Sequence, residues 1–334
     1  MNGVFNGCEK IEKEEIEETE ALDCVHEMDT INHYVGMYPI ASGGVIEKAF
    51  SPFLMSMLAV MLMGFMFNNP NIRMGVLSVG FTAIVIWMTM TWYVDDGLKY
   101  QNAQYLEGLV TSLDQDASQE QDLSPGAALI ERLKASLQAS GVEVDEEQKD
   151  VEATNEKDKN IHDLKINFEL DQKRKPSSEQ EQWNGNNAQM MSWHYGKSLG
   201  RYFNEPEKIK PMVSNMALAS NIVFWLIIAA MLLLIFGTRK NGSLLYWLLI
   251  IPAILLPLFF IIDYSAWLWW YGHRMNEMGA FSVKPFMPTV FGDGKVAQFT
   301  THSYPYIGFG YMVLSSVLLI IAANQRYKYF KFGG

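Results

Sequence analysis

The chain has 334 residues, 49% of them hydrophobic, and carries 37 acidic against 26 basic side chains for a net charge of -11. That balance excludes nucleic acid as a partner, because replacing phosphate counterions needs a basic face. The apolar residues are gathered into long runs almost free of charge and the acids into the segments around them, as a membrane protein divides its composition.

Residues 1–50 form an acidic N-terminal tail. Its charged stretch Lys10 to Glu20 is not a signal peptide, so the first apolar run is expected to direct insertion. Cys8 and Cys24 lie in this tail without a CxxC or haem-attachment pattern, which leaves free or paired thiols as the simplest expectation.

Five apolar runs follow, at 51–67, 74–94, 216–236, 244–270 and 306–323. A hydrocarbon core about 30 Å thick takes about 20 apolar residues in a helix. The expected fold is therefore all-α, with five transmembrane helices arranged as two hairpins (51–94 and 216–270) plus one. The short basic pieces Asn68 to Arg73, Thr238 to Gly242 and Arg326 to Lys331 fall on one side of that arrangement. The positive-inside rule makes this side cytoplasmic, with the C-terminus in the cytoplasm and the N-terminus and the central insertion facing outward. Trp92, Tyr93, Trp267, Trp269, Trp270 and Tyr271 end two spans on the outer side as an aromatic belt.

The insertion, 95–215, reads as a partly disordered α/β segment. Ser124-Pro125 opens an amphipathic helix ending near Gly141, and 142–160 is acidic and poor in apolar residues, as a linker is. Leu164, Ile166, Phe168 and Leu170 alternate with polar residues, which predicts one half-buried strand. The whole is too thin in apolar residues for a large core.

Residues 271–305 are the polar segment richest in chemistry, a structured loop followed by the last span and basic tail (306–334). His273, Met275, Met278 and His302 lie in it, and Met191 and His194 form a second cluster upstream. Imidazole and thioether are copper ligands, the thioether favouring Cu(I), so copper is the cofactor this set would suit. The competing reading is plain packing: Met55, Met61 and Met88 lie within spans, where a flexible thioether fills gaps. Motifs for hydrolysis, nucleotide binding, zinc proteolysis and thiol redox chemistry are all missing, which points to a non-catalytic protein. Gly292-Asp293-Gly294-Lys295 reads as a turn.

Tyr271-Gly272-His273, then Val283-Lys284-Pro285-Phe286-Met287-Pro288-Thr289-Val290-Phe291-Gly292, then Lys295-Val296-Ala297-Gln298-Phe299-Thr300-Thr301-His302-Ser303-Tyr304-Pro305 resembles a pattern in bacterial integral membrane proteins encoded beside nitrous oxide reductase, some labelled cytochrome-like. The positions matching it are His273, Pro285, Pro288, Gly292 and His302, within about 40 residues of the chain. The resemblance implies an inner-membrane accessory role to a periplasmic copper enzyme, by assembly, copper transfer or anchoring. The expected partners are the bilayer and a membrane or periplasmic protein. The rival expectations are a transporter or channel subunit and a structural subunit of a membrane complex.

Overall fold

Lipid offers backbone N–H and C=O groups no partner, so long apolar runs fold as helices, and flanking polar residues carry those helices past the apolar part. The computed structural model describes residues 35–37, 44–113, 156–203, 205–280, 284–296 and 299–332. The acidic tail with both cysteines, the helix expected at 124–141 and the stretch 142–155 lie outside these. In sequence the helices are α1 (Val45–Met66), α2 (Pro70–Tyr93), α3 (Ala103–Leu113), α4 (Glu156–Lys173), α5 (Asn187–Tyr202), α6 (Pro206–Gly237), α7 (Leu244–Trp247), α8 (Ile251–Ile254), α9 (Leu256–His273) and α10 (Ile307–Phe332), with a two-stranded sheet between the last two.

Four of them, α1, α2, α6 and α10, are long and apolar enough to cross a membrane, so by length and composition this is a multi-pass membrane protein. The fourth apolar run does not form the single helix expected. It breaks into α7, α8 and α9, because Pro252 and Pro257 lack an N–H and each sits at the start of a new helix. Hydropathy cannot register this, since both prolines stand among Ile and Leu.

The chain divides into two compact units, described separately. The first takes in 44–49, 89–113 and the described residues from 156 to 217. The strand expected at 164–170 is instead part of α4, which also absorbs Glu156 to Asn160 from the expected linker. Leu164 and Phe168 are one helical turn apart, fully buried, and pack with Leu106, Leu109 and Val110 of α3 and Met190 and Trp193 of α5. Ile166 and Leu170 are only half-buried, so the alternation was a coincidence of spacing and the i, i+4 pair carries the packing. All elements described in this unit are helical, and they share a small core of their own.

The rings of Trp183 and Trp193 meet Phe168 edge-on at 5.4 and 5.5 Å. Trp193 also donates to Asp171 Oδ2 at 3.0 Å. The Asn186 side chain starts α5 by accepting from the Gln189 backbone N–H. Trp92, expected in an interfacial belt, is fully buried and is a packing residue.

The second unit holds 35–37, 50–88 and the described residues from 218 to 332. Here α1 and α2 pack closely because Gly64 faces Leu77 and Gly80 faces Val60, and a Cβ on either would collide with the opposite side chain. α10 runs antiparallel to the broken stretch. Its Phe330 meets Tyr246, its Ser316 donates to the Ile254 carbonyl at 2.5 Å, and its Phe309 meets Phe260. Only 6% of the apolar window of α10 is buried, against 39% for α1, so α10 is the helix most open to lipid.

Candidate functional site

The segment after α9 folds back on the helix that precedes it. Gly272, buried, accepts a hydrogen bond from the Phe286 N–H at 3.1 Å, and any Cβ there would run into the Phe286 carbonyl. Asn276 donates its N–H to the Gly36 carbonyl at 2.8 Å, and Gly279 is held against the Gly36 backbone. The short piece 35–37 is thereby tied to the start of the loop, with Gly36 in the left-handed region at φ 78° that glycine tolerates.

Residues Gly292–Val296 (β1) and Phe299–Ser303 (β2) pair antiparallel, so Gly292-Asp293-Gly294-Lys295 is a strand and not the turn expected. The register sets Asp293 opposite His302. Their side chains meet at the exposed surface, His302 Nδ1 to Asp293 Oδ1 at 2.6 Å, and the Tyr304 hydroxyl donates to the same oxygen at 3.0 Å. These two hydrogen bonds, His302 first, hold the Asp293 carboxyl below the usual carboxylate range, while accepting from Tyr304 pushes that phenol up. The hairpin is moored to the helix below it: Ser303 Oγ donates to the Val290 carbonyl at 2.8 Å and lies 3.2 Å from the Tyr264 hydroxyl.

The residues expected to hold copper are each engaged differently. The His273 ring stacks on Trp269 at 4.5 Å, and its Nδ1 hydrogen-bonds the Trp269 carbonyl at 2.8 Å within its own helix. His302 pairs with Asp293. Met275 and Met278 are half-buried in the turn after α9. In the first unit Met191 is interior, and His194 Nε2 hydrogen-bonds the Leu109 carbonyl at 3.1 Å and Ser112 Oγ at 2.8 Å, linking α5 to α3. Among the described residues, no group of three or more His, Cys, Asp or Glu is placed to hold a metal ion.

Asp293 and Tyr304 were missed by sequence reasoning. Both lie in the segment singled out, yet only the hairpin register brings Asp293 opposite His302, and four of the hairpin's residues had been read as a turn. Comparison with protein-family models, with curated proteins and with solved structures finds no match.

Proposed function

We propose that this chain is a non-catalytic, multi-pass inner-membrane protein that supports a periplasmic copper-dependent respiratory enzyme by presenting residues 271–305 as a docking cap. The resemblance of that segment implies nitrous oxide reductase as the enzyme. The observation that carries the proposal is the cap's construction: Gly272, Pro285 and Pro288 belong to the fold-back on α9, while His302, Asp293 and Tyr304 stand exposed together on the hairpin. A fixed scaffold under an exposed polar and aromatic cluster suits recognition of a protein surface. Phe291 and Tyr306, both exposed, extend that surface.

The accompanying topology has five passes, α7 to α9 together returning the chain across the bilayer. The C-terminus is cytoplasmic, and the N-terminus, the central insertion and the cap are periplasmic. The test is nitrous oxide consumption by cells lacking the chain, complemented with wild type or with the Asp293→Ala/Tyr304→Ala double variant. Loss of consumption in the deletion, rescue by wild type and poor rescue by the variant are expected. Wild-type consumption without the chain overturns the proposal. A Cu(I) titration of the purified chain separates docking from copper transfer: saturable binding abolished by His273→Ala/His302→Ala would assign copper handling to the cap.

One observation favours the transporter or channel subunit as a second reading. The broken fourth stretch places Asp263 within α9, and discontinuous helices with an ionisable residue at bilayer depth are how secondary transporters build ion sites. Proteoliposome ion flux that disappears in Asp263→Asn would favour it over docking.

A further inference from the structure

The α1–α2 turn, the 238–243 loop and the end of α10 come from distant parts of the chain and meet in one rim. Arg73, fully buried, donates to the carbonyls of Phe67 (3.2 Å) and Thr238 and to Asn241 Oδ1 (2.8 Å). Arg326 donates to the carbonyls of Phe65 (3.1 Å) and Met66 (2.9 Å), and Asn241 closes the ring by donating to the Asn68 carbonyl at 3.1 Å. α1 and α6 both end here, and two helix C-termini would repel an anion. The two guanidinium groups neutralise those ends by bonding their last carbonyls.

Two exposed cations, Arg239 and Lys240, stand at this rim with no ion pair among the described residues. The segments 65–73, 237–247 and 324–332 contain no Asp or Glu. The rings of Trp247 and Tyr327, 6.4 Å apart, lie at the same rim, and such amphipathic rings settle at headgroup depth. Exposed cations where spans end, beside helix C-termini whose dipoles are already offset, match an anionic headgroup at the membrane surface.

We infer that this rim is a binding site for an anionic phospholipid headgroup, its net negative charge met by Arg239 and Lys240. Native mass spectrometry of the full chain, loaded with phosphatidylglycerol or with phosphatidylcholine of the same acyl chains, tests it. Wild type should retain phosphatidylglycerol preferentially. The Arg239→Gln/Lys240→Gln variant should lose on the order of tenfold or more of that preference, at roughly fivefold per basic side chain. Its melting temperature in phosphatidylcholine should stay unchanged, since no described contact depends on these side chains. A control variant, Lys165→Gln/Lys173→Gln on α4, should retain the preference. Equal retention of both lipids by wild type, an unchanged preference in the Arg239→Gln/Lys240→Gln variant, or an equal loss in the control overturns the inference. Displacement of the lipid by inorganic phosphate would also overturn it, by marking a free-anion site.

Discussion

Gly272 carries a hydrogen where any other residue would drive a carbon into the Phe286 carbonyl, and it accepts the hydrogen bond that seats the cap. Gly272→Ala must displace backbone and not a flexible side chain, so it should destabilise the cap by about 1–3 kcal/mol or more. Amide hydrogen exchange at 284–296 should accelerate in that variant while α1 and α2 stay protected. Asp293 supplies the pH dependence. Its folded carboxyl titrates below the ordinary value, so the hairpin stability it contributes is fully present above the ordinary carboxylate range and is lost as pH falls through the depressed value. Hairpin amide exchange in wild type should therefore rise on acidification through that window, and Asp293→Asn should flatten the response at a uniformly higher rate. A hairpin equally protected on both sides of the window in wild type would contradict this. His273 and His302 were legible as polar groups in a structured loop, but their partners were not. One is a carbonyl in the same helix and the other a carboxylate brought across by strand register, and neither leaves a spacing motif.

The elements show where apolar patterning suffices and where backbone chemistry decides. Helices α1, α2, α6 and α10 were visible as uncharged runs because lipid tolerates little else. The breaks between α7, α8 and α9 do not register in hydropathy, because proline acts through its missing N–H and not through polarity. For α4 the periods competed, as Leu164, Ile166, Phe168 and Leu170 fit an alternating strand while Leu164 and Phe168 alone fit a helix turn. Packing against Leu106 and Trp193 settles it. Phe168→Ala should destabilise the first unit by about 3–5 kcal/mol, read as loss of exchange protection across 103–113 and 187–202. Arg73 is the counterpart in the second unit. Arg73→Ala strips donors from the buried Thr238 carbonyl and the part-buried Phe67 carbonyl, and the buried group alone costs about 1–3 kcal/mol. Arg73→Lys should recover only part of the folded yield in detergent, since one ammonium cannot reproduce the guanidinium fork.

The molecule's path through the bilayer follows from where its helix ends meet. α1 and α6 deliver their C-termini to the rim at Met66 and Gly237, and the end of α10 reaches it through Arg326. α2 leaves the rim at Arg73, and α7 leaves it with Tyr246 packed on Phe330. Because α10 is antiparallel to the broken stretch and starts beside the cap, the proposed five-pass topology has α7 to α9 carry the chain from the rim to the cap's side. Their summed 4, 4 and 18 residues are enough at about 1.5 Å per residue to span the apolar core. The Asn276–Gly36 bond then sets residue 36 on the cap's side, where a chain entering α1 from that side must lie. In the proposed orientation the basic rim is the cytoplasmic face. A reporter fused after Gly334 or inserted at Gly242 should thus be active only in the cytoplasm, and one inserted near Gln148 or at Gly279 only outside. The pair at Gly242 and Gly279 is decisive, because it brackets the broken stretch alone. Activity of both on one side would mean that α7 to α9 form a re-entrant segment, leaving the four long helices as the only spans.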